Sequence, residues 1–425
     1  MKYPHNLQDL DLQGCYELRS MPKGIGRLSN LKTLSWFHVS KDDDDDGCGI
    51  RELKELRQLE GALSICSLQN VIDPLEAQEA DLMSKLKSLI LRGCFRIREL
   101  PRGMKYLHNL QHLDLQGCYD LRSMPKGIGR LSNLKTLSWF HVSKDDDDDG
   151  CGIRELKELR QLEGALSICS LQNVIDPLEA QEADLMSKLK VDELQFWWDE
   201  SGDKDVEVFQ SLEPHTELSS LGIFFYSGFT FPRWLMIDLP SYNKLVSLTL
   251  HSCFECRVLL PIGELPLFEF LQLQNMEKLE EWSSSSNSRQ EETDEFPSLL
   301  SLTIQFCREL RILPQPLLSS PRLCELHFEC CPKLRMLPHA GALSKLTSLK
   351  NLRLGDEMEG LIQFLDETES LPPNLNRLYI PDCISVPKGL RNLSSLKHLE
   401  VCHTFRAHYS PEELPVNVIV TESWY

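Results

Sequence analysis

The sequence lacks a long hydrophobic run and an excess of positive charge. Its 425 residues contain no stretch of about 18 apolar residues, which argues against a membrane-spanning helix. Met1 is followed by a polar segment and not by the apolar core of a secretory signal peptide. The formal net charge of -19 disfavours nucleic acid as a partner, because phosphate backbones are bound by clustered lysine and arginine. The composition therefore indicates a surface that faces other proteins.

Motifs for catalysis and for cofactor or metal binding are also missing. There is no phosphate-binding loop, nucleophile elbow or H-E-x-x-H motif, and Gly127-Ile128-Gly129 lacks the third glycine of a dinucleotide fingerprint. The run Asp145 to Asp149 resembles a calcium loop, but Leu156 occupies the position that needs a glutamate. Cys253 and Cys256 form a C-x-x-C without a second pair. We therefore predict no enzyme activity, no cofactor and no metal site.

What the chain has instead is a recurring phrase, clearest in LQHLDLQGC from Leu110 to Cys118. Leu110, Leu113 and Leu115 are spaced as in a strand that buries one face. Similar phrases open at fifteen other positions, and successive openings lie mostly 21 to 27 residues apart. These positions are Leu7, Leu31, Leu63, Leu86, Leu134, Leu166, Val191, Leu218, Leu245, Phe268, Leu299, Leu323, Leu349, Leu375 and Leu396. Such a period indicates a leucine-rich-repeat solenoid, in which each repeat buries its leucines against its neighbours.

The predicted fold is an α/β leucine-rich-repeat solenoid shaped like a horseshoe, with parallel strands on the concave face. Pro125 and the two glycines that follow it predict irregular or 3₁₀ backbone on the convex face. Two segments have a helical pattern. They are Ile153 to Leu162, which has a twin at Ile50 to Leu59, and Pro177 to Leu189, with Asp176 as its N-cap.

Seven of the fifteen cysteines fall eight residues after an opening apolar residue. They are Cys15, Cys94, Cys118, Cys253, Cys307, Cys331 and Cys383. Cysteine at this position behaves as a small buried hydrophobe, so the spacing favours a core role over a disulfide framework. Reduced thiols predict a cytoplasmic protein.

Residues 1–87 recur as residues 104–190, with 84 identities at an offset of 103. We therefore divide the chain into a first copy (1–87), a block that contains the second copy (88–190), a C-terminal array (191–409) and a tail (410–425). The polar stretch 282–295 is predicted to be a disordered loop. Met1 corresponds to Met104 in the middle of a repeat, so we expect the natural protein to continue upstream. The duplication is either recent or a gene-model artefact.

The candidate site is the concave face, where the positions between the leucines point away from the core. Aromatic and arginine side chains often anchor protein interfaces. On this face we single out Trp197, Phe224, His251, Phe270, His327, Arg353 and Tyr379. The alternative interpretation is that some of these side chains only stack on one another.

The order of the motifs in one copy carries a family resemblance. A strand that ends in G-C leads into L-x-x-M-P at Gly117 to Pro125, and Leu131 to Leu137 is followed by an aromatic strand and by IRELKEL. Next come Leu162 to Ile168, Leu171 to Val174 and Leu194 to Trp198. This ordered set is similar to the leucine-rich-repeat region of plant coiled-coil NB-LRR (NB-ARC) disease-resistance proteins.

The resemblance implies a role in plant defense and innate immunity. It implies recognition of a pathogen effector or of a guarded host protein, and regulation of a nucleotide-binding module. That module would lie in cis if the gene continues upstream and in trans otherwise, since this chain has neither a phosphate loop nor a coiled-coil domain. Three alternatives remain open: an extracellular receptor ectodomain, the substrate-recognition subunit of a ubiquitin ligase, and a truncated or repeat-only protein that acts as a decoy or scaffold. Asn392 opens the one N-x-[ST] sequon that we find, which disfavours the extracellular reading.

Overall fold

The computed structural model describes residues 6–12, 15, 18, 20–40, 48–59, 62–66, 86–95, 97–144, 150–199, 202, 204–280, 282, 295–334, 343–358, 360–362, 371–380, 388–402 and 419–423. The chain forms two compact units, Met1–His215 and Thr216–Tyr425. Each unit is a succession of short parallel strands, with turns and short helices between them. The structure is that of a leucine-rich-repeat solenoid, as the sequence predicts.

In the first unit, strands from successive repeats pair in parallel. One pair joins β1 (Asp9–Leu10) to β2 (Thr33–Leu34). A five-stranded sheet contains β3 (Trp36–His38), β4 (Ala62–Cys66), β5 (Ser88–Ile90), β6 (His112–Asp114) and β7 (Thr136–Leu137). Three further strands pair in the order β8 (Trp139–His141), β9 (Glu163–Cys169) and β10 (Lys190–Trp197).

The strand of one repeat is interrupted between β7 and β8 because its buried positions change phase. Leu137 and Phe140 are both buried but lie three residues apart, whereas an unbroken strand buries every second residue. At the break, the hydroxyl of Ser138 accepts a hydrogen bond from the Leu115 amide at 2.7 Å. Its twin Ser35 accepts the equivalent bond in the first copy, at 2.6 Å.

In the described part of the second unit, nine strands follow one another in chain order. They are β11 (Ser220–Phe224), β12 (Ser247–His251), β13 (Phe270–Gln274), β14 (Ser301–Gln305), β15 (Glu325–Glu329), β16 (Asn351–Leu354), β17 (Arg377–Ile380), β18 (His398–Cys402) and β19 (Ile419–Ser423). Neighbouring strands pair in parallel. Leu248 and Leu250 of β12 are buried and face Leu271 and Leu273 of β13, so the predicted leucines form one continuous core.

The segments between strands are mostly short 3₁₀ helices. These helices are Ile25–Arg27, Ile50–Glu55, Arg102–Tyr106, Ile128–Arg130, Ile153–Glu158, Leu171–Asn173, Leu185–Ser187, Leu239–Ser241, Ile262–Glu264, Gln315–Ser319, Leu343–Lys345 and Lys388–Asn392. The labelled α-helices are α1 (Pro177–Glu182), α2 (Asp205–Ser211) and α3 (Arg233–Met236). The sequence pattern did not indicate α2 or α3.

Both predicted helical segments form helices, but they are shorter than expected. The helix expected from Ile153 is a 3₁₀ helix that ends at Glu158, because its apolar residues recur every three positions, which is the 3₁₀ period. The helix from Pro177 is capped as predicted, and the Asp176 carboxylate accepts a bond from the Leu178 amide at 2.9 Å. This helix ends early, and Asp184 then adopts a left-handed conformation with φ of 53°.

Two of the predicted phrase openings, Leu166 and Leu63, are wrong. Leu166 pairs with Leu194, and Leu63 pairs with Leu89, so both are the second leucine of their phrase and not the first. In the second copy, Gly164 lies opposite Val191, the opening residue of the next repeat. The opening position therefore carries no apolar side chain. For this reason the leucine spacing assigned the opening position to Leu166, which is the next leucine of the strand.

The cysteine position of the repeat is a core position for most of its members. Cys118, Cys253, Cys307 and Cys331 are buried, and the Cys118 thiol donates to the Leu91 carbonyl of the preceding repeat at 3.1 Å. Cys94 is half-buried, whereas Cys15 is exposed, contrary to expectation. Cys383 lies outside the described residues, and the described cysteine side chains are all free thiols.

The structure describes part of the C-terminal tail and both borders of the polar stretch. The tail contributes β19, which pairs in parallel with β18. At the borders of the polar stretch, Trp282 is buried and packs edge-on against Phe296, with ring centroids 5.7 Å apart. Residues 283–294, predicted to be a disordered loop, lie outside the described residues.

Candidate functional site: the outward face of the second unit

The outward face of the second unit is built from alternate strand positions. In β15, Glu325, His327 and Glu329 alternate with the buried Leu326 and Phe328. From β11 to β18 the paired strands keep one register, so equivalent positions form rows that cross the sheet. We use the name outward face for the side that carries the first, third and fifth strand positions.

Three of the predicted site residues form one such row. His327 of β15 lies opposite Arg353 of β16, and Arg353 lies opposite Tyr379 of β17. The guanidinium carbon of Arg353 is 4.2 Å from the centre of the Tyr379 ring. At this distance the positive charge is attracted by the electron-rich face of the ring. The structure therefore brings together a histidine, an arginine and a tyrosine that are 26 residues apart in turn.

This row lies in a groove on the outward face. The groove has a volume of ≈ 490 Å³ and is open to solvent. Its walls also include polar side chains from the first and third strand positions, namely Ser301, Thr303, Asn351, Arg377, His398 and Glu400. Such a combination of aromatic and polar groups is typical of surfaces that bind other proteins.

The pKa of His327 depends on its position in the groove. Burial lowers the pKa of His327, and the positive charge of Arg353 lowers it further. Glu329 opposes this effect, since its carboxylate oxygen lies 3.5 Å from Nε2 of His327. The Glu329 carboxylate also accepts a hydrogen bond from the Gln305 amide at 2.6 Å. His327 is thus a neutral side chain near neutral pH, beside an exposed cation.

The remaining predicted residues do not join this groove. Phe224 and His251 pair on neighbouring strands at the fifth position, with ring centroids 5.9 Å apart. Phe270 is 44% exposed, at the first position of β13. Trp197 belongs to the first unit, where its indole nitrogen donates to Gln195 at 3.1 Å. The planes of the Phe224 and His251 rings are tilted by 33° to each other.

The sequence analysis missed an aromatic cluster in the first unit. Phe95 and Tyr119 are 61% and 71% exposed and stack with their rings nearly parallel, 6.2 Å apart. Tyr119 also contacts Trp139, which in turn contacts the buried His141. The available signal was the residue that follows each G-C, because it is aromatic in two successive repeats. A cavity of ≈ 660 Å³ adjoins Tyr119 and His141.

The described residues were also compared with the requirements of a metal site and of a membrane-spanning helix. Among them, no group of three or more His, Cys, Asp or Glu side chains has the arrangement of a metal site. The run Asp145 to Asp149 lies outside the described residues. Within the same part of the chain, no helix has the length and apolarity needed to cross a membrane.

The parallel strands, the leucine core and the 3₁₀ connections define a leucine-rich-repeat protein, and a comparison with solved structures agrees. The fold resembles that of a leucine-rich-repeat protein from Leptospira interrogans, with a TM-score of 0.52 and 19% sequence identity. That similarity covers 99% of this chain and 96% of the other. At this identity the likeness concerns the fold alone.

Sequence comparisons then identify the kind of repeat. Residues 153–276 match the family described as R13L1/DRL21 LRRs. The chain is 32% identical over 291 residues to RGA4 of Solanum bulbocastanum, a protein named for disease resistance. It is 30% identical over 327 residues to RPP13-like protein 1 of Arabidopsis thaliana, which carries the same designation. The repeats are similar to those of these plant disease-resistance proteins, which agrees with the resemblance carried by the sequence motifs.

The matches cover only part of these relatives. The alignment with RGA4 includes 66% of this chain and 25% of that protein, and the alignment with RPP13-like protein 1 includes 64% and 30%. The chain thus corresponds to a protein-interaction module and spans about a quarter to a third of the relatives that it matches.

Proposed function

We propose that this chain is the recognition module of a plant intracellular immune receptor and that its outward face binds a pathogen effector or a host protein modified by one. The observation that supports this most is the row of His327, Arg353 and Tyr379 in an open groove. Arginine and tyrosine are enriched among the residues that dominate binding energy at interfaces. Their placement on a rigid parallel sheet positions them before a partner arrives, which reduces the entropy lost on binding.

The same proposal includes a regulatory role in the cytoplasm. A partner that binds the outward face would change the contacts that hold a nucleotide-binding module in its inactive state, because a ligand shifts a conformational equilibrium by its difference in affinity for the two states. We place the contact with that module on the duplicated part of the chain, residues 1–190, in cis or in trans. The exposed stacked pair of Phe95 and Tyr119 supports this placement, since exposed aromatic clusters mark interaction surfaces.

A binding screen tests the recognition role. The full chain is screened against a library of secreted pathogen proteins and their known host targets. In parallel, a triple variant with His327→Ala, Arg353→Ala and Tyr379→Ala is screened. A matched control carries Arg308→Ala, Arg311→Ala and Ile312→Ala, which removes exposed side chains that do not line the groove.

We expect at least one partner that binds the wild type and the control equally and binds the triple variant at least about tenfold more weakly. Partners that bind all three proteins equally would show that recognition does not use this face. The absence of any partner in either library would also contradict the proposal. Circular dichroism spectra of the three proteins establish that the substitutions leave the fold intact.

A further inference from the structure

The charges in the groove follow an order across four strands. Glu325 of β15 and Arg377 of β17 occupy first positions, whereas Arg353 of β16 and Glu400 of β18 occupy third positions. From β15 to β18 the sequence of charges is therefore negative, positive, positive, negative. All four side chains line the same groove.

Among the described side chains, no ion pair includes Arg353 or Arg377, the two central arginines. Glu325 accepts a hydrogen bond from the Asn351 amide at 2.9 Å, so one of its oxygens is already occupied. The Tyr379 ring holds one face of the Arg353 guanidinium, which leaves the N–H groups at its edge available. Two exposed guanidinium groups in a chain with a net charge of -19 form a local site for an anion.

The spacing of the strands sets the length of a complementary ligand. Neighbouring strands lie about 4.8 Å apart, so three strand steps separate Glu325 from Glu400 by roughly 14 Å across the sheet, and the offset from a first to a third position adds about 6.6 Å along the strand. The direct separation is therefore roughly 16 Å, which an extended peptide at about 3.3 Å per residue covers with roughly five residues. A carboxylate in the middle of such a segment would face the arginines, and cations at its two ends would face the glutamates.

We propose that the groove binds an extended peptide segment that has one acidic residue at its centre and a basic residue about two positions away on each side. This inference rests on the proposed recognition role and specifies the chemistry of the partner. The acidic side chain is held by Arg353 and Arg377 through charge-assisted hydrogen bonds, which are shorter and stronger than neutral ones. The flanking basic side chains contact Glu325 and Glu400.

The surroundings of His327 provide an independent readout. Arg353 contributes to the lowered pKa of His327 in the unbound protein. Glu329 is the acidic group that faces this imidazole, and its effect is opposite. A bound carboxylate beside Arg353 would offset the arginine charge. We therefore expect the pKa of His327 to rise when the peptide binds, as measured by NMR titration of the imidazole protons.

Peptide selection tests the proposal directly. A displayed library of random peptides, about twelve residues long, is selected on the full chain and on an Arg353→Glu/Arg377→Glu variant. The control variant Arg308→Glu/Arg311→Glu makes the same change in net charge at exposed positions outside the groove. A milder pair, Arg353→Gln and Arg377→Gln, serves if the charge reversal affects folding. Fluorescence anisotropy then measures the affinity of the selected peptides.

We expect the wild type and the control to select peptides with an acidic centre and flanking bases. Removal of each groove arginine should weaken binding about tenfold, since hydrogen bonds between charged groups contribute about 1.5 kcal/mol. The charge-reversed variant should lose these peptides and select peptides with a basic centre. Selected peptides of another pattern that still need the outward face would overturn the inference and leave the recognition role intact. Peptides that bind all variants equally, together with a negative binding screen, would overturn both.

Discussion

At the scale of the residue, the buried Lys188 has the most unusual surroundings in the first unit. It is only 4% exposed, and its ammonium group donates to the carbonyls of Leu156 and Leu159 at 2.6 and 3.3 Å. These carbonyls lie at the end of the 3₁₀ helix Ile153–Glu158, and the Leu156 carbonyl also accepts a hydrogen bond from the Leu159 amide at 3.0 Å. Lys188 thus joins a later repeat to the back of an earlier one.

The pKa of Lys188 makes its contribution depend on pH. Burial lowers this pKa from 10.5 to about 8, although Asp184 opposes the shift. Between pH 8 and 10.5 the unfolded chain keeps a proton that the folded chain has lost, so folding becomes more favourable as the pH rises. We expect the free energy of unfolding of the wild type to increase over this range relative to that of Lys188→Met. Denaturant unfolding at a series of pH values measures the difference.

The exposed Lys190 provides the control for this prediction. The free energy of unfolding of a Lys190→Met variant should change with pH as that of the wild type does over the same range, because the Lys190 side chain stays exposed to water in the folded chain. If the free energy of unfolding of Lys188→Met changes with pH in the same way as that of the wild type, the lowered pKa of Lys188 is contradicted.

The repeat cysteines should differ in reactivity according to burial. Burial raises the pKa of the Cys118 and Cys253 thiols to about 12, so both stay protonated and shielded. Cys15 is exposed. Because the thiolate is the reactive form, iodoacetamide at about pH 8 should label Cys15 quickly and leave the two buried thiols unmodified. Peptide mass spectrometry measures the labelling, and equal rates at all three sites in the folded protein would disprove the prediction.

At the scale of the element, a glutamate fastens successive 3₁₀ helices to each other. The two carboxylate oxygens of Glu155 accept hydrogen bonds from the amides of Gly127 and Gly129, at 2.7 and 2.8 Å. In the first copy, Glu52 makes the same pair of contacts. Gly129 has to be small, since an added Cβ would lie 2.8 Å from the Glu155 carbonyl oxygen.

We expect Glu155→Ala to lower the free energy of unfolding by about 2 kcal/mol, because two backbone amides lose a charged acceptor. Glu158→Ala is the matched control, since Glu158 is an exposed glutamate at the end of the same helix. Urea unfolding of both variants measures the effect. Equal stability of the two variants would show that the contacts of Glu155 contribute little.

The sequence predicted the elements whose signal is local. Leucine spacing located the strands, and Asp176 before Pro177 located the start of α1. The row of His327, Arg353 and Tyr379 was also predictable, because a regular period aligns equivalent positions of neighbouring strands. What the pattern missed depends on contacts between repeats, such as the two bonds of Glu155 or the stacking of Phe95 on Tyr119. The spacing of residues within one repeat does not predict these contacts, because each contact joins two repeats.

At the scale of the whole molecule, the net charge of -19 dominates the electrostatics. Exposed ion pairs such as Lys278 with Glu255 and Lys333 with Glu309 contribute little, because water screens them. Mutual repulsion among the excess carboxylates should therefore be the larger effect. We expect the melting temperature to rise when sodium chloride is increased from about 20 mM to about 300 mM, which shortens the range of the repulsion.

Thermal unfolding followed by circular dichroism measures this dependence. Sucrose at matched osmolality serves as a control for effects that do not involve charge. A melting temperature that falls with salt would show that the ion pairs outweigh the repulsion.

The duplication also has a consequence for how this protein changes over generations. The offset of 103 residues places β1 to β4 of the first copy at the positions of β6 to β9 in the second, so it contains a whole number of repeats. Unequal recombination between the two copies would therefore add or delete complete repeats and rejoin strand to strand in frame. A gene of this design can lengthen or shorten its row of parallel strands by several repeats in a single step.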